Sequence, residues 1–184
     1  MKKLILVYGI ISGSIMALML IIMLFIFECN GGSTSGGYII GYSSQLLAMS
    51  FIFIAVHTYK KKYLGGRISF LKAWKIGLLI ALISSAFYVI TWAFMYKFFY
   101  PDFMENYATE AIKNMEKAGK SAADIEDMKK QMELFKNMYK TIPGFAGLTF
   151  MEVFPTGFVM SLIAAIVFSI KKKKKEGEQN PVTQ

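Results

Sequence analysis

Apolar residues in this chain neither alternate with polar ones nor recur once per helical turn; they run on in four long blocks. The blocks cover 4–27, 38–59, 69–96 and 145–170, each longer than the ~18 residues that mark a membrane-spanning helix. As a helix the first would reach ~36 Å, enough to cross a ~30 Å hydrocarbon core with some tilt. It is too long for a signal-peptide core of about 7–15 residues and no A-x-A site follows it, so it is expected to stay as a first span. Charged residues avoid the blocks and gather between them.

The separators differ in kind. "ECNGGSTSGG" is Gly- and Ser-rich and predicts a tight loop. "KKKYLGGR" predicts a turn at Gly65–Gly66. Segment 97–143 is long, charged and periodic. Phe103, Tyr107, Ala111, Met115 and Ala118 share one helical face, and Ile125, Met128, Met132, Phe135 and Tyr139 share another. Asp102 stands where a helix cap belongs, and Gly119 where a helix ends. Ser121 precedes Asp124 as in a near capping box, and Glu126 with Lys130 suits an exposed ion pair. Two amphipathic helices are predicted, packed on each other, with the membrane surface or a partner as other covers. A further alternative is that each prolongs a span.

The expected fold is therefore an all-α membrane protein with four transmembrane helices and an extracytoplasmic helical hairpin between the third and fourth. One integral membrane domain is expected over 1–175, with a disordered cytoplasmic tail over 176–184.

The apolar fraction of 55% fits this class. The net charge of +9 would suggest nucleic acid in a soluble protein, but here the basic residues sit beside span ends. Lys2 and Lys3, then Lys60, Lys61, Lys62 and Arg67, then Lys171, Lys172, Lys173, Lys174 and Lys175 lie at alternate ends, hence on one side. The positive-inside rule makes that side the cytoplasm and both termini cytoplasmic, in a bacterial inner membrane. Lys60 to Lys62, Arg67 and Lys171 to Lys175 are the expected contacts to anionic lipid headgroups. The single cysteine, Cys29, excludes an intrachain disulfide and reads as a loop thiol.

Candidate chemistry is sparse. HExxH, GxSxG, a phosphate loop and zinc spacings are all missing, so neither enzyme activity, metal nor cofactor is expected. His57, the only histidine, reads as an interfacial anchor. Small residues recur every four positions: Gly9, Gly13, Ala17; Gly37, Gly41; Gly77, Ala81, Ser85; Gly157, Ser161, Ala165, Ser169. This pattern lets membrane helices approach closely, within one protomer or between two. Glu152 is the one acid inside an apolar block, ~10 Å along a helix that starts at Phe145. A carboxyl there needs partners. Gln45, Tyr88, Thr91 and Trp92 lie at similar depth and would form a polar layer with it. The reading favours a satisfied structural network over a proton or ion site, because no second acid or cation joins it. Pro155 reads as a proline near a helix start, with a Pro155–Gly157 hinge as the alternative.

The stretches "YGIISG", "GYSSQLLA", "GGRISFLKAWKIGL", "YVITW", "PDFMENY" and "LTFMEVFPTGFVMSLIAAI" resemble domain-of-unknown-function family 4199, bacterial four-span membrane proteins. The resemblance covers nearly the whole chain before the lysine tail. It implies that Phe70, Lys72, Ala73, Gly77, Tyr88, Trp92, Pro101, Phe103, Thr149, Phe150, Glu152, Pro155 and Gly157 belong to the family pattern; it implies an apolar residue near position 45, where this chain has Gln45. It implies no activity. The expected function is a non-enzymatic scaffold or interaction protein, with a homo-oligomer or another membrane protein as partner. The alternative is a small oligomeric transporter or channel using the layer around Glu152.

Overall fold

Each apolar block folds as helix in the computed structural model, which describes residues 1–29 and 37–170. The first is α1, Lys2–Cys29. The second is split into α2, Gly37–Met49, and α3, Phe51–Tyr63. The third is α4, Phe70–Phe98, and the fourth α7, Ile142–Ser169. Between them stand α5, Phe103–Lys117, and α6, Ala122–Tyr139. Four stretches are long and apolar enough to cross a membrane: Lys2–Ile26, Ile40–Tyr63, Phe70–Phe98 and Ile142–Ser169. No strand occurs among the described residues. The glycine-rich 30–36 segment, Lys171 to Lys175 and the expected tail lie outside the described residues.

The split in the second span has a local cause. The Ser50 hydroxyl donates to the Leu47 carbonyl at 2.6 Å, and the Phe53 amide donates to the Ser50 carbonyl at 3.0 Å. Such back-bonding diverts the regular ladder and bends a helix.

The helix α4 is the central element, packed along α1 on one side and α7 on the other, with α3 touching all three and α2 touching α1 and α7. Small residues decide these contacts. A Cβ on Gly9 would come within 2.8 Å of Ile83, and one on Gly13 within 2.8 Å of Phe87. A Cβ on Gly77 would meet Ser161 at 2.9 Å, and one on Gly157 would meet Ala81 at 2.7 Å. These stripes therefore face inward, within the protomer. A buried hydroxyl adds a tie where water is absent: Ser12 donates to the Ala48 carbonyl at 2.7 Å, while Ser84 bonds the Ile80 carbonyl of its own helix at 2.9 Å and lies 3.3 Å from the Gly9 carbonyl. Meanwhile Leu6, Leu18, Phe25, Leu47, Ile90, Phe94 and Val167 stay exposed on the outside of the bundle, an apolar belt suited to lipid.

Both inward stripe and outward belt belong to an up-and-down arrangement. The start of α1, the end of α3 and the end of α7 share one end of the bundle. There Tyr8 and Thr58 hydroxyls lie 3.4 Å apart, and Lys60 donates to the Phe168 carbonyl at 2.7 Å.

The hairpin crowns the other end. The chain leaves α4 after Phe98, turns through Pro101 and re-enters helix at Phe103, so α5 does not prolong the span. Asp102 does not cap α5 with its side chain; its backbone turns too far toward the bridge region, and only its carbonyl serves, accepting from Asn106. The α5 end follows the sequence more closely. Gly119 takes φ +65°, with its amide on the Glu116 carbonyl and the Lys120 amide on that of Met115, a Schellman ending. Ser121 then caps α6 by accepting from the Asp124 amide at 3.2 Å. The ion pair expected between Glu126 and Lys130 is absent; Lys130 instead faces Asp127 at 3.7 Å.

The two hairpin helices pack on each other through Met104, Ala108 and Met132, with Lys136 and Glu105 joined at 3.1 Å. Their bases also dock on the spans. Phe103 stands edge-on to Trp92 at 4.8 Å, and Tyr139 packs against Tyr96 at 5.5 Å and Phe145 at 5.1 Å.

Candidate functional site

The helix α7 starts three residues before the expected Phe145, because Pro143 sits in its first turn, where a missing amide donor costs nothing. Thr141 caps it by accepting from the Gly144 amide at 3.2 Å. Glu152 is therefore ~15 Å along the helix rather than ~10 Å. It lies about two turns beyond Phe145, the α7 member of the aromatic docking layer.

Its neighbours come from two other elements. Tyr88 and Trp92 are four apart on α4 and share a face. The Tyr88 hydroxyl donates to Glu152 Oε1 across 3.5 Å, a long bond. Gln45, on α2, is buried, and its amide nitrogen donates to the carbonyls of Glu152 at 3.3 Å and Val153 at 3.1 Å. Carbonyls only accept, so Gln45 grips the backbone of α7 and leaves the Glu152 carboxyl to other partners. These two carbonyls follow that of Met151, the one that Pro155 leaves without its helical amide. Thr91 does not enter the group: its hydroxyl bonds the Phe87 carbonyl of its own helix at 2.9 Å.

Pro155 lies within an unbroken α7 and Gly157 is buried at the α4 contact, so close approach to Ala81 is what that glycine provides. Lys60 caps the α7 carbonyl end rather than reaching outward, a favourable place for a cation. Lys61, Lys62 and Arg67 are exposed at the same end. His57 is exposed there too, with its ring 5.5 Å from that of Phe168.

What the sequence did not reveal is the space between these residues. A cavity of about 970 Å³ lies between α1, α2, α4 and α7 and runs up under the hairpin. Glu152, Gln45, Tyr88 and Trp92 line its deep part, and Met16 and Leu20 of α1 form an apolar wall. Asp102, Tyr107 and Glu110 of the hairpin line its upper part. Span one carries no polar residue at this depth to flag its share, and Asp102 had an ordinary explanation as a cap. Among the described residues no Lys, Arg or His contributes to the lining.

Tyr139 closes the hairpin side of the wall. Burial pushes its hydroxyl above the ordinary tyrosine range, against the opposing pull of the Trp92 and Thr149 side chains, so it stays protonated at neutral pH. The Thr149 hydroxyl acts on Tyr139 by proximity; it is fully buried and in regular hydrogen-bond geometry with no protein atom. Among the described residues no three of His, Cys, Asp and Glu gather as metal ligands would.

The arrangement has the parts of a binding site: a concave, mostly apolar space with a few converging polar groups. Among its described lining residues there is no Ser, Thr, Cys, Lys or His. No curated protein and no solved structure matches the chain. A family model does match it over residues 7–169, nearly the whole described bundle, and the chain belongs to that family, described as "Protein of unknown function (DUF4199)".

Proposed function

We propose that this multi-pass membrane protein binds an apolar or amphiphilic ligand in the cavity between its spans, with the hairpin as a roof. The cavity carries this reading. A volume of about 970 Å³ is large for a bundle of four spans, and it falls within the ~300–1,000 Å³ of ligand sites. The scaffold reading would have the hairpin meet a partner. The hairpin helices pack on each other, as expected of their stripes, and Phe103 and Tyr139 dock on the spans, which supports a role for the hairpin as a roof. The ligand-handling alternative, transport included, is thereby favoured over the scaffold.

The proposed setting is a bacterial inner membrane with both termini cytoplasmic and the hairpin outside. It is supported by Lys60 to Lys62 and Arg67 lying at the end opposite the hairpin, alongside the start of α1. Lys61, Lys62 and Arg67 would meet anionic headgroups there.

The test uses the natural tryptophans. The chain has only two. Trp74→Phe leaves Trp92, in the cavity wall, as the sole emitter. With the protein in nanodiscs, an uncharged naphthylamine probe should take energy from Trp92 saturably. Gly41→Phe should abolish the saturable part, since Gly41 lines the cavity and a Cβ there meets only Met23 at ordinary distance. A signal that rises linearly and ignores Gly41→Phe would reflect partition into lipid and end the proposal.

A further inference from the structure

We propose that the ligand is a small amphiphilic cation, with its apolar body between α1, α2 and α4 and its positive charge at Glu152. This rests on the cavity being a ligand site and adds the chemical class. Three observations converge. First, among the described residues no Lys or Arg lines the cavity, whereas Glu152, Asp102 and Glu110 all do. Asp102 and Glu110 belong to the upper, hairpin part, and Glu152 lies at the depth of Tyr88. The described charged side chains that line the space are thus acidic both at the mouth, with Asp102, and at the floor, with Glu152. Fields in low-dielectric clefts are focused, so such a path draws cations and turns away anions.

Second, the hydrogen bond that Glu152 receives on its carboxyl is the long one from Tyr88. The amide of Gln45, which lies near enough to help, is committed to the α7 backbone. A carboxylate at membrane depth is costly without a countercharge, and the described lining residues supply none. A ligand cation would.

Third, aromatic rings line the cavity, Tyr88 and Trp92 in its deep part and Phe103 and Tyr107 in its hairpin part. Ring faces stabilise organic cations, quaternary ones included. A bare metal ion finds no grouped ligands here. A phospholipid would bring its phosphate against acids at mouth and floor. A neutral apolar chain would leave Glu152 uncompensated. An organic cation on an apolar body fits both the walls and the charge.

The experiment uses two probes of one shape and opposite charge, tetraphenylphosphonium and tetraphenylborate. Binding is measured by equilibrium dialysis to the full chain in phosphatidylcholine nanodiscs, with empty nanodiscs subtracted. The phosphonium should bind saturably and the borate should not. Glu152→Gln should weaken the phosphonium at least tenfold, with monodisperse elution as the check on folding. Asp102→Asn, at an exposed position that does not threaten the fold, should weaken it about threefold through the mouth potential. Equal binding of both probes, unmoved by Glu152→Gln and lost in Gly41→Phe, would overturn the cation assignment and leave the ligand cavity standing. Phosphonium binding that survives Gly41→Phe, or no saturable binding of either ion, would also overturn it. The uncharged naphthylamine titration then decides separately whether the cavity reading itself falls.

Discussion

Gly157 shows how much one hydrogen atom decides. In the middle of a helix, Gly→Ala ordinarily gains about 1 kcal/mol. Here the new methyl would sit 2.7 Å from the Cβ of Ala81, which is fixed to the α4 backbone and cannot swing aside. Gly157→Ala should therefore destabilise by about 1–3 kcal/mol, read as a lower thermal midpoint in detergent. A neutral or raised midpoint would mean that α4 and α7 are not in contact there. Gln45 makes a second case, because its role depends on donating. Gln45→Leu removes bonds to two carbonyls that keep their helical partners, so a loss of about 1 kcal/mol is expected. Gln45→Glu should cost more, since a carboxylate turns only acceptors toward those carbonyls. Equal midpoints for the two variants would argue against the backbone grip.

At the scale of elements, the hairpin is held by its own turn and by aromatic docking. Gly119 takes a left-handed φ of +65° that other residues adopt at a cost of about 1 kcal/mol. Gly119→Val should loosen the α5–α6 turn and speed tryptic cleavage at Lys117 and Lys120, while Trp92 keeps its environment. Phe103→Ala acts at the other end, removing the ring that stands edge-on to Trp92 at 4.8 Å. In a Trp74→Phe background its emission should shift to the red as the roof lifts. No red shift would place the docking elsewhere. The second span carries a comparable local device. Ser50 bends it where Ala48, Met49 and Ile52 are fully buried, so the bend lies at the core contact and not at a free surface.

The whole molecule has two unlike ends, and this asymmetry is what a topology experiment reads. Lys60, Lys61, Lys62 and Arg67 stand at one end, and the hairpin with Asp102 and Glu110 at the other. In a Cys29→Ser background, a cysteine placed at Lys120 should react with an impermeant maleimide on intact cells. One placed at Lys62 should react only after lysis. The reverse pattern would invert the proposed orientation and put the cavity mouth on the cytoplasmic side.

The span count, the hairpin and its cap at Ser121 were legible in the sequence because they depend on local signals: run length, helical period, and a glycine or serine at a fixed offset. Glu152, Gln45, Tyr88 and Trp92 could be placed near one another from depth alone, since depth follows from counting along a helix. Thr91 failed this reasoning because depth carries no rotational information, and its hydroxyl found a carbonyl on its own helix. The start of α7 was missed because Pro143 both breaks helices and begins them. By itself the sequence determined that four helices of about membrane length form and roughly how deep each residue lies. Only the tertiary structure decided which faces meet. The small-residue stripes turned inward because α4 must touch α1 and α7 at once, and the cavity arose because helices with large aromatic side chains near the hairpin leave space that no single helix encodes.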